Sequence, residues 1–240
     1  GNIYIGGYVE DADIWSGQDI IIQDGVNAGE NGRIEAMGNI SARFFENAHI
    51  ISHSDIKCDY MLNTTALAYG GIYLEGKRGS VIGGDVTGVR GICIKACGSE
   101  SYSKTVLRVG VTKEISSEYA KVLMVLKDID TQIDRFNQAL QKLDILKKAG
   151  SDKFDETLNR KLLQSKIVKT AEKAKYEEKS RNLYTLVRES DRAVVRIDKN
   201  IYPGSRVFMG DKTYVPSTVF THIALKKTSQ GVLIRNYDSM

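Results

Sequence analysis

Two prolines, three cysteines, three histidines and one tryptophan in 240 residues leave this chain short of the usual chemical landmarks. Cys58, Cys93 and Cys97 are odd in number and lack C-x-x-C spacing, which argues against a disulfide framework or a zinc knuckle. They read as small buried hydrophobes of a reducing cytoplasm, with Cys93 and Cys97 on one strand face by parity. No apolar run approaches the ~18 residues of a membrane span. His49 and His53 share strand parity, but no third ligand has supporting spacing, so no metal site is expected. His222, among Thr218, Thr221 and Ile223, reads as a hydrogen-bonded structural histidine. Phosphate loops, zinc-protease helices, nucleophile elbows and dinucleotide fingerprints are all missing. Gly6-Gly7, Gly70-Gly71 and Gly83-Gly84 precede no helix and read as corners. Asp11 and Asp13 point to one side of a strand near Trp15, yet a glycosidase needs an aromatic-lined cleft around its acids, so they read as a solvated face. The expectation is no catalytic, cofactor-binding or metal-binding residue, no cofactor and no small-molecule substrate. A β-helix enzyme, an acyltransferase or a polysaccharide-active protein, is the alternative, and it would need a cleft around His49 or an acidic cluster.

What is present is ordinary in total and uneven in distribution. Hydrophobic residues make up 42%, too many for a disordered chain, and the net charge of +4 does not by itself imply nucleic acid or membrane binding. Residues 1–112 hold 18 of the 22 glycines and no proline, with 9 basic against 13 acidic side chains. Residues 113–190 hold one glycine, Gly150, with 17 basic against 13 acidic. Residues 191–240 hold three glycines and both prolines, Pro203 and Pro216, with 8 basic against 4 acidic. Three segments of different physics are joined.

The first segment repeats. Asn2-Ile3, Asp19-Ile20, Asn39-Ile40, Asp55-Ile56 and Gly71-Ile72 recur at 17, 20, 16 and 16 residues, the longest interval containing Gly29-Glu30-Asn31-Gly32, read as a loop. Between these isoleucines, Val9, Ile14, Val26, Ile34, Phe45, Ile50, Leu62 and Leu67 stand mostly 5 or 6 residues apart. Three steps make one period, so the natural object is a coil of three short strands per circuit whose apolar anchors stack on those of the next. Gly, Asn and Asp precede each isoleucine, where a corner requires positive φ or a tight turn. Strict six-residue steps would suit a left-handed helix; mixed steps of 5 and 6 read as right-handed.

From residue 115 the period changes. Ile115, Tyr119, Val122, Leu126, Ile129, Ile133, Phe136, Leu140 and Leu143 follow at alternating steps of 4 and 3, a coiled-coil seam on a helix of about 50 Å. Lys147 and Lys148 suit its last turn and Gly150 ends it. Ser151-Asp152 offers an N-cap for a second, antiparallel helix with Phe154, Leu158, Leu162, Tyr176, Leu183 and Leu186 as a partial seam, interrupted by Ser165 and Lys169. Arg160, Lys161, Lys166, Lys169, Lys173 and Lys175 make that helix basic. They read as a solvated face partnered by Glu172, Glu177 and Glu178, with nucleic acid or an anionic surface as the alternative.

After residue 191, Val195, Ile197, Val207, Tyr214, Val219, Ile223, Leu225, Val232 and Ile234 restore a strand pattern, and Tyr202-Pro203-Gly204 is a turn. These strands need a partner, and the nearest is the coil the chain left at residue 112. The fold class is mainly β with α: a single-stranded, right-handed β-helix over 1–112, an inserted antiparallel coiled-coil hairpin over 113–190, and a C-terminal return β segment over 191–240 that pairs with or extends the coil. The chain opens at Gly1 within a repeat and reads as an excised fragment.

This order of parts resembles the C-terminal region of the flagellar assembly protein A family, a bacterial family of undefined function. The matching residues are Gly1-Asn2-Ile3-Tyr4-Ile5, Gly38-Asn39-Ile40-Ser41-Ala42, Phe45-Glu46-Asn47-Ala48 and Gly70-Gly71-Ile72. More specific are the turn Glu75–Gly84, Thr105-Val106-Leu107-Arg108-Val109-Gly110 and Tyr202-Pro203-Gly204. The resemblance implies a non-enzymatic scaffold of the bacterial cytoplasm or cell pole. Its expected partners are proteins: further copies of itself, or flagellar and cell-pole proteins. The β-helix is also similar to those of bactofilins and the cell-division inhibitor MinC, which assemble into dimers or polymers.

Overall fold

The computed structural model describes residues 1–29, 32–111 and 113–236. Within Gly29–Gly32, residues 30 and 31 therefore lie outside the described residues. The chain forms two compact units, Gly1–Thr112 with Leu186–Met240, and Lys113–Thr185.

The first unit is a parallel β-solenoid. Its first coil is β1 (Ile3–Ile5), β2 (Val9–Glu10) and β3 (Ile14–Ser16). The second is β4 (Ile20–Ile22), β5 (Gly25–Asn27) and β6 (Arg33–Ala36), and the third β7 (Ile40–Ser41), β8 (Phe44–Glu46) and β9 (His49–Ser52). Thereafter two strands run together in each circuit: β10 (Ile56–Cys58) with β11 (Tyr60–Ala68), β12 (Gly71–Leu74) with β13 (Ser80–Gly88), and β14 (Gly91–Cys97) with β15 (Thr105–Val109). The chain then leaves through α1 (Lys113–Lys148) and α2 (Glu156–Ser190). It returns as β16 (Val194–Ile201) and β17 (Ser205–Met209), which pair parallel with β14 and β15 and so continue the same ladders. β18 (Lys212–Tyr214), β19 (Phe220–Lys227) and β20 (Val232–Asn236) close that end by antiparallel pairing.

The core consists of columns. Ile3, Ile20, Ile40, Ile56, Ile72, Ile92 and Val195 occupy one register position through successive coils. A second column holds Val9, Val26, Phe45, Met61, Val81, Cys97 and Ile201. The third holds Ile14, Ile34, Ile50, Ala66, Val86, Leu107 and Val207. Two expected anchors are corrected: Met61 and Ala66 point inward, while Leu62 and Leu67 stand half-buried on the outer side. A shift of one residue exchanges the faces of a strand, and the neighbouring leucines are the larger apolar side chains.

The corners also differ from expectation. Asn2, Asp19, Asn39 and Asp55 do not take positive φ. Each uses its side chain to reach the next coil: Asn2 Oδ1 accepts the Asp19 N–H at 3.1 Å, Asp19 Oδ1 that of Asn39 at 2.6 Å, Asn39 Oδ1 that of Asp55 at 3.2 Å, and Asp55 Oδ1 that of Gly71 at 2.8 Å. The ladder satisfies backbone donors that strand pairing leaves free at the corner. Gly38 and Gly70 are glycine because a Cβ there would meet the Asp19 and Asp55 carboxylates at 2.1 Å. Left-handed backbone belongs instead to another corner, at Asp11, Asn47, Asn63 and Gly83 (φ 45, 48, 48 and 70°).

The second unit is a helical hairpin. α1 ends as the sequence predicts, at Lys148, and Gly150 takes φ 62° in a Schellman closure in which Ser151 N–H donates to Leu146 O at 3.1 Å. The N-cap of α2 is Asp155, not Ser151 or Asp152: its Oδ1 accepts the Leu158 N–H at 3.0 Å. Ser151 instead forms a turn, its carbonyl accepting the Phe154 N–H. All nine seam positions of α1 are buried or half-buried.

Candidate interaction surfaces

The reactive side chains are dispersed around the coil. His49 is exposed at the start of β9, while His53 stacks on Tyr69 at 4.8 Å and lies 3.7 Å from the Glu35 carboxylate. The structure thus pairs His53 with an aromatic ring and an acid. Asp11 sits at a left-handed corner, and Asp13 Oδ1 accepts the Arg33 N–H at 2.7 Å, so these two acids are corner groups rather than strand neighbours. His222, read from the sequence as a hydrogen-bonded structural histidine, is exposed at φ 53°, opposite the irregular Asp198-Lys199 step of β16. Among the described residues no three His, Cys, Asp or Glu side chains cluster as metal ligands.

The cysteines are also separated. Cys97 points into the core and Cys93 outward, because the register shift between Ile94 and Ala96 reverses the parity that would have placed them together. Burial pushes the Cys97 thiol up to about 12, and burial raises Cys58 further and Cys93 as well.

The outer surface carries an aromatic file that runs from the first coil to the fourth. Phe44 stacks on Tyr60 at 5.1 Å, Tyr8 tilts against Phe44 at 6.1 Å, and the Arg78 guanidinium covers Tyr60 at 4.4 Å. Gly25 makes room for this file, since a Cβ there would meet the Phe44 ring at 2.3 Å. The Tyr60 hydroxyl donates to Glu46 at 2.7 Å.

β16 and β17 are covered by the antiparallel strands β19 and β18. The outer side of the first coil carries three exposed aromatic residues: Tyr4 (68% exposed), Tyr8 and Trp15 (65%).

On the hairpin, a series of half-buried and buried residues of α2 runs Leu162, Lys166, Lys169, Lys173, Tyr176, Ser180, Leu183, in alternating steps of 4 and 3. Lys173 donates to Asp130 of α1 at 2.7 Å and Lys179 to Glu118 at 2.7 Å, and these bonds hold both ammonium groups above their ordinary range. Lys169 pairs with Glu172 at 2.8 Å. Three lysines of the basic series thus lie along the seam, and two of them are in ion pairs. Leu158, expected in the seam, is exposed.

A family model described as the Flagellar Assembly Protein A beta solenoid domain matches residues 1–230. The chain belongs to this family. No curated protein and no solved structure matches it. In this member of the solenoid family, the residues carrying the resemblance are structural. In the turn of Glu75–Gly84, Asp59 Oδ1 accepts the N–H groups of Arg78 at 2.8 Å and Gly79 at 3.1 Å from one side. From the other, Lys95 Nζ donates to Gly76 O at 2.8 Å. Thr105 Oγ1 accepts the Gly83 N–H at 2.9 Å. Tyr202-Pro203-Gly204 closes a turn with Ser205 N–H on Tyr202 O at 3.2 Å, and Gly204 takes φ 92° where a Cβ would strike Tyr102 O. Sequence reasoning did not find the Asn2–Asp19–Asn39–Asp55 ladder as a hydrogen-bonded unit. Its signal is the Asx residue immediately before each of the first four column isoleucines, Ile3, Ile20, Ile40 and Ile56.

No helix among the described residues is long and apolar enough to cross a membrane.

Proposed function

We propose that this solenoid domain is a non-enzymatic scaffold of flagellar assembly, working in the cytoplasm or at the cell pole through protein–protein contacts. The observation that carries the reading is the outer surface of the coil, where Tyr8, Phe44, Tyr60 and the Arg78 guanidinium form a file and Tyr4 and Trp15 stand exposed. Exposed aromatic side chains on a rigid surface mark contacts with other proteins. Its closed, hydrogen-bonded corners and dispersed histidines and acids leave an enzyme little to work with, which also supports the reading. So does membership of a family described as a beta solenoid domain of flagellar assembly.

Analytical ultracentrifugation over a concentration series tests it. The expected result is a mass that rises above the monomer, and falls back to it in Tyr4→Asp/Trp15→Asp, whose exposed positions leave the columns intact. A chain that remains monomeric at every concentration, and pulls down no partner that the double variant loses, overturns the reading.

A further inference from the structure

α2 has an inward series, which faces α1, and a separate apolar stripe. The inward series Leu162–Leu183 faces α1, as the Lys173–Asp130 pair fixes. The other series is Leu163, Ile167, Ala171 and Ala174, at steps of 4, 4 and 3, all exposed, with Val168 beside it. Leu163, Ile167 and Val168 are 45, 68 and 64% exposed. At ~100° per residue the four stripe positions fall within about 80° of one another, a single helix face. Apolar side chains at this spacing, turned from the partner helix while lysines occupy the seam, form a docking face rather than scattered surface residues.

The charge around the stripe says what covers it. Between Arg160 and Arg181 the exposed charged residues of α2 are Arg160, Lys161, Lys175, Lys179 and Arg181, against the single acid Glu178. Lys179 is engaged by Glu118 of α1 and Arg160 by Glu156, leaving a cationic border on the stripe. A second copy laying α2 against α2 would bring together two helices of 9 basic and 5 acidic residues each, a like-charge arrangement that specific interfaces avoid. We infer that the Leu163–Ile167–Ala171–Ala174 face of α2 is a docking face for an amphipathic helix with acidic flanks supplied by another protein. This rests on the scaffold reading and gives it a partner chemistry, with apolar anchors at i, i+3, i+4 and i+7 and Glu or Asp beside them.

The probes are two synthetic helical peptides with the same Leu/Ile face, one flanked by Glu and one by Lys, titrated into the whole chain and followed by fluorescence anisotropy. The Glu-flanked peptide is expected to bind at least about tenfold more tightly, with an affinity that falls as salt rises. Leu163→Ser/Ile167→Ser is expected to weaken it at least about tenfold, with helical circular dichroism unchanged because both positions are exposed. Arg160→Glu/Lys161→Glu/Lys175→Glu, a second variant that leaves the stripe untouched, is expected to invert the preference between peptides. No saturable binding of the Glu-flanked peptide, or equal affinity for both, overturns the proposal. So does tighter binding to phosphatidylserine vesicles than to the peptide, which would make the face a lipid contact. Loss of self-association in Leu163→Ser/Ile167→Ser would assign the face to a second copy and overturn it too. The scaffold reading fails separately, through the masses of the wild-type chain and the Tyr4→Asp/Trp15→Asp variant.

Discussion

In the coil, the first inward column reads Ile3, Ile20, Ile40, Ile56, Ile72, Ile92, Val195; on α2, the inward series reads Leu162, Lys166, Lys169, Lys173, Tyr176, Ser180, Leu183. The column stacks nearly identical side chains on neighbours one strand spacing away, about 4.8 Å. Each circuit is covered by the next, so a coil has no stable form by itself. The helix closes its own backbone hydrogen bonds and can tolerate ammonium groups in its seam, provided that their stems cover apolar surface and their heads find carboxylates. Side-chain shape therefore specifies the coil, whereas the hairpin is specified by the apolar seam of one helix, α1, and a set of ion pairs. Substitutions should hurt the coil far more than the hairpin.

Phe45→Ala is the largest expected effect. Phe45 is fully buried in the second column between Val26 and Met61. Removing its ring should cost about 3–5 kcal/mol, read as a fall in the urea midpoint of the β signal. An equal fall for Leu163→Ala on the hairpin would abolish the contrast between the two units.

Thiol reactivity sharpens the contrast within the coil. Thiolate is the reactive form, and Cys97 and Cys58 are buried with their thiols raised, Cys97 to about 12. Cys93 stands half-buried on the outer face. Near neutral pH, Cys93 should label with an aromatic disulfide reagent about a hundredfold faster than the other two, and all three should label together after denaturation. Each rate should climb with pH toward its raised pKa, since deprotonation supplies the nucleophile. Equal fast labelling of Cys93 and Cys97 would mean that the register shift at Lys95 is absent.

The corner ladder comes next. Asp19→Ala removes the acceptor of the Asn39 N–H and leaves that donor unpaired at the turn, a loss of about 1–2 kcal/mol. Asp19→Asn keeps the oxygen and should restore most of it. The pair of thermal melts distinguishes a hydrogen-bonding role from simple turn propensity, because both replacements remove the charge and only one retains the acceptor. Equal losses for the two variants would return Asp19 to an ordinary turn residue.

These residues also mark how far the sequence could be read. Periodic isoleucines announced the coil because the column repeats one residue type at a nearly constant interval. Met61 and Ala66 were hidden by Leu62 and Leu67, since local hydrophobicity does not report which side of a corner a residue faces. The Asx positions were visible as corners, but their hydrogen bonds run to residues 16 to 20 further along and belong to the stacking of coils. Cys93 and Cys97 were misplaced by an irregularity with no local sequence mark. The start of α2 was ambiguous because Ser151, Asp152 and Asp155 are all good caps, and only the turn at Ser151–Phe154 selects the last. The interaction surfaces were least legible, because a stripe such as Leu163–Ile167 cannot be assigned until the inward face of its helix is known.

Lys169→Leu is the smallest expected effect and has the opposite sign. Lys169 is half-buried in the α2 seam and its ammonium pairs with Glu172 on the same helix, not with α1. A partly solvated pair within one helix contributes little, and salt screens it. Leucine at the same position would place apolar atoms opposite the regular seam of α1 and raise helix propensity slightly. The hairpin should gain about 1 kcal/mol, seen as a higher melting temperature of the helical signal with the β signal unchanged. A gain confined to the helical signal would show that lysine at this position is a tolerated departure from an apolar seam. A loss would mean that the Lys169 stem and the Lys169–Glu172 pair hold the alignment of the two helices, so that the hairpin, like the coil, depends on a specific contact at each step.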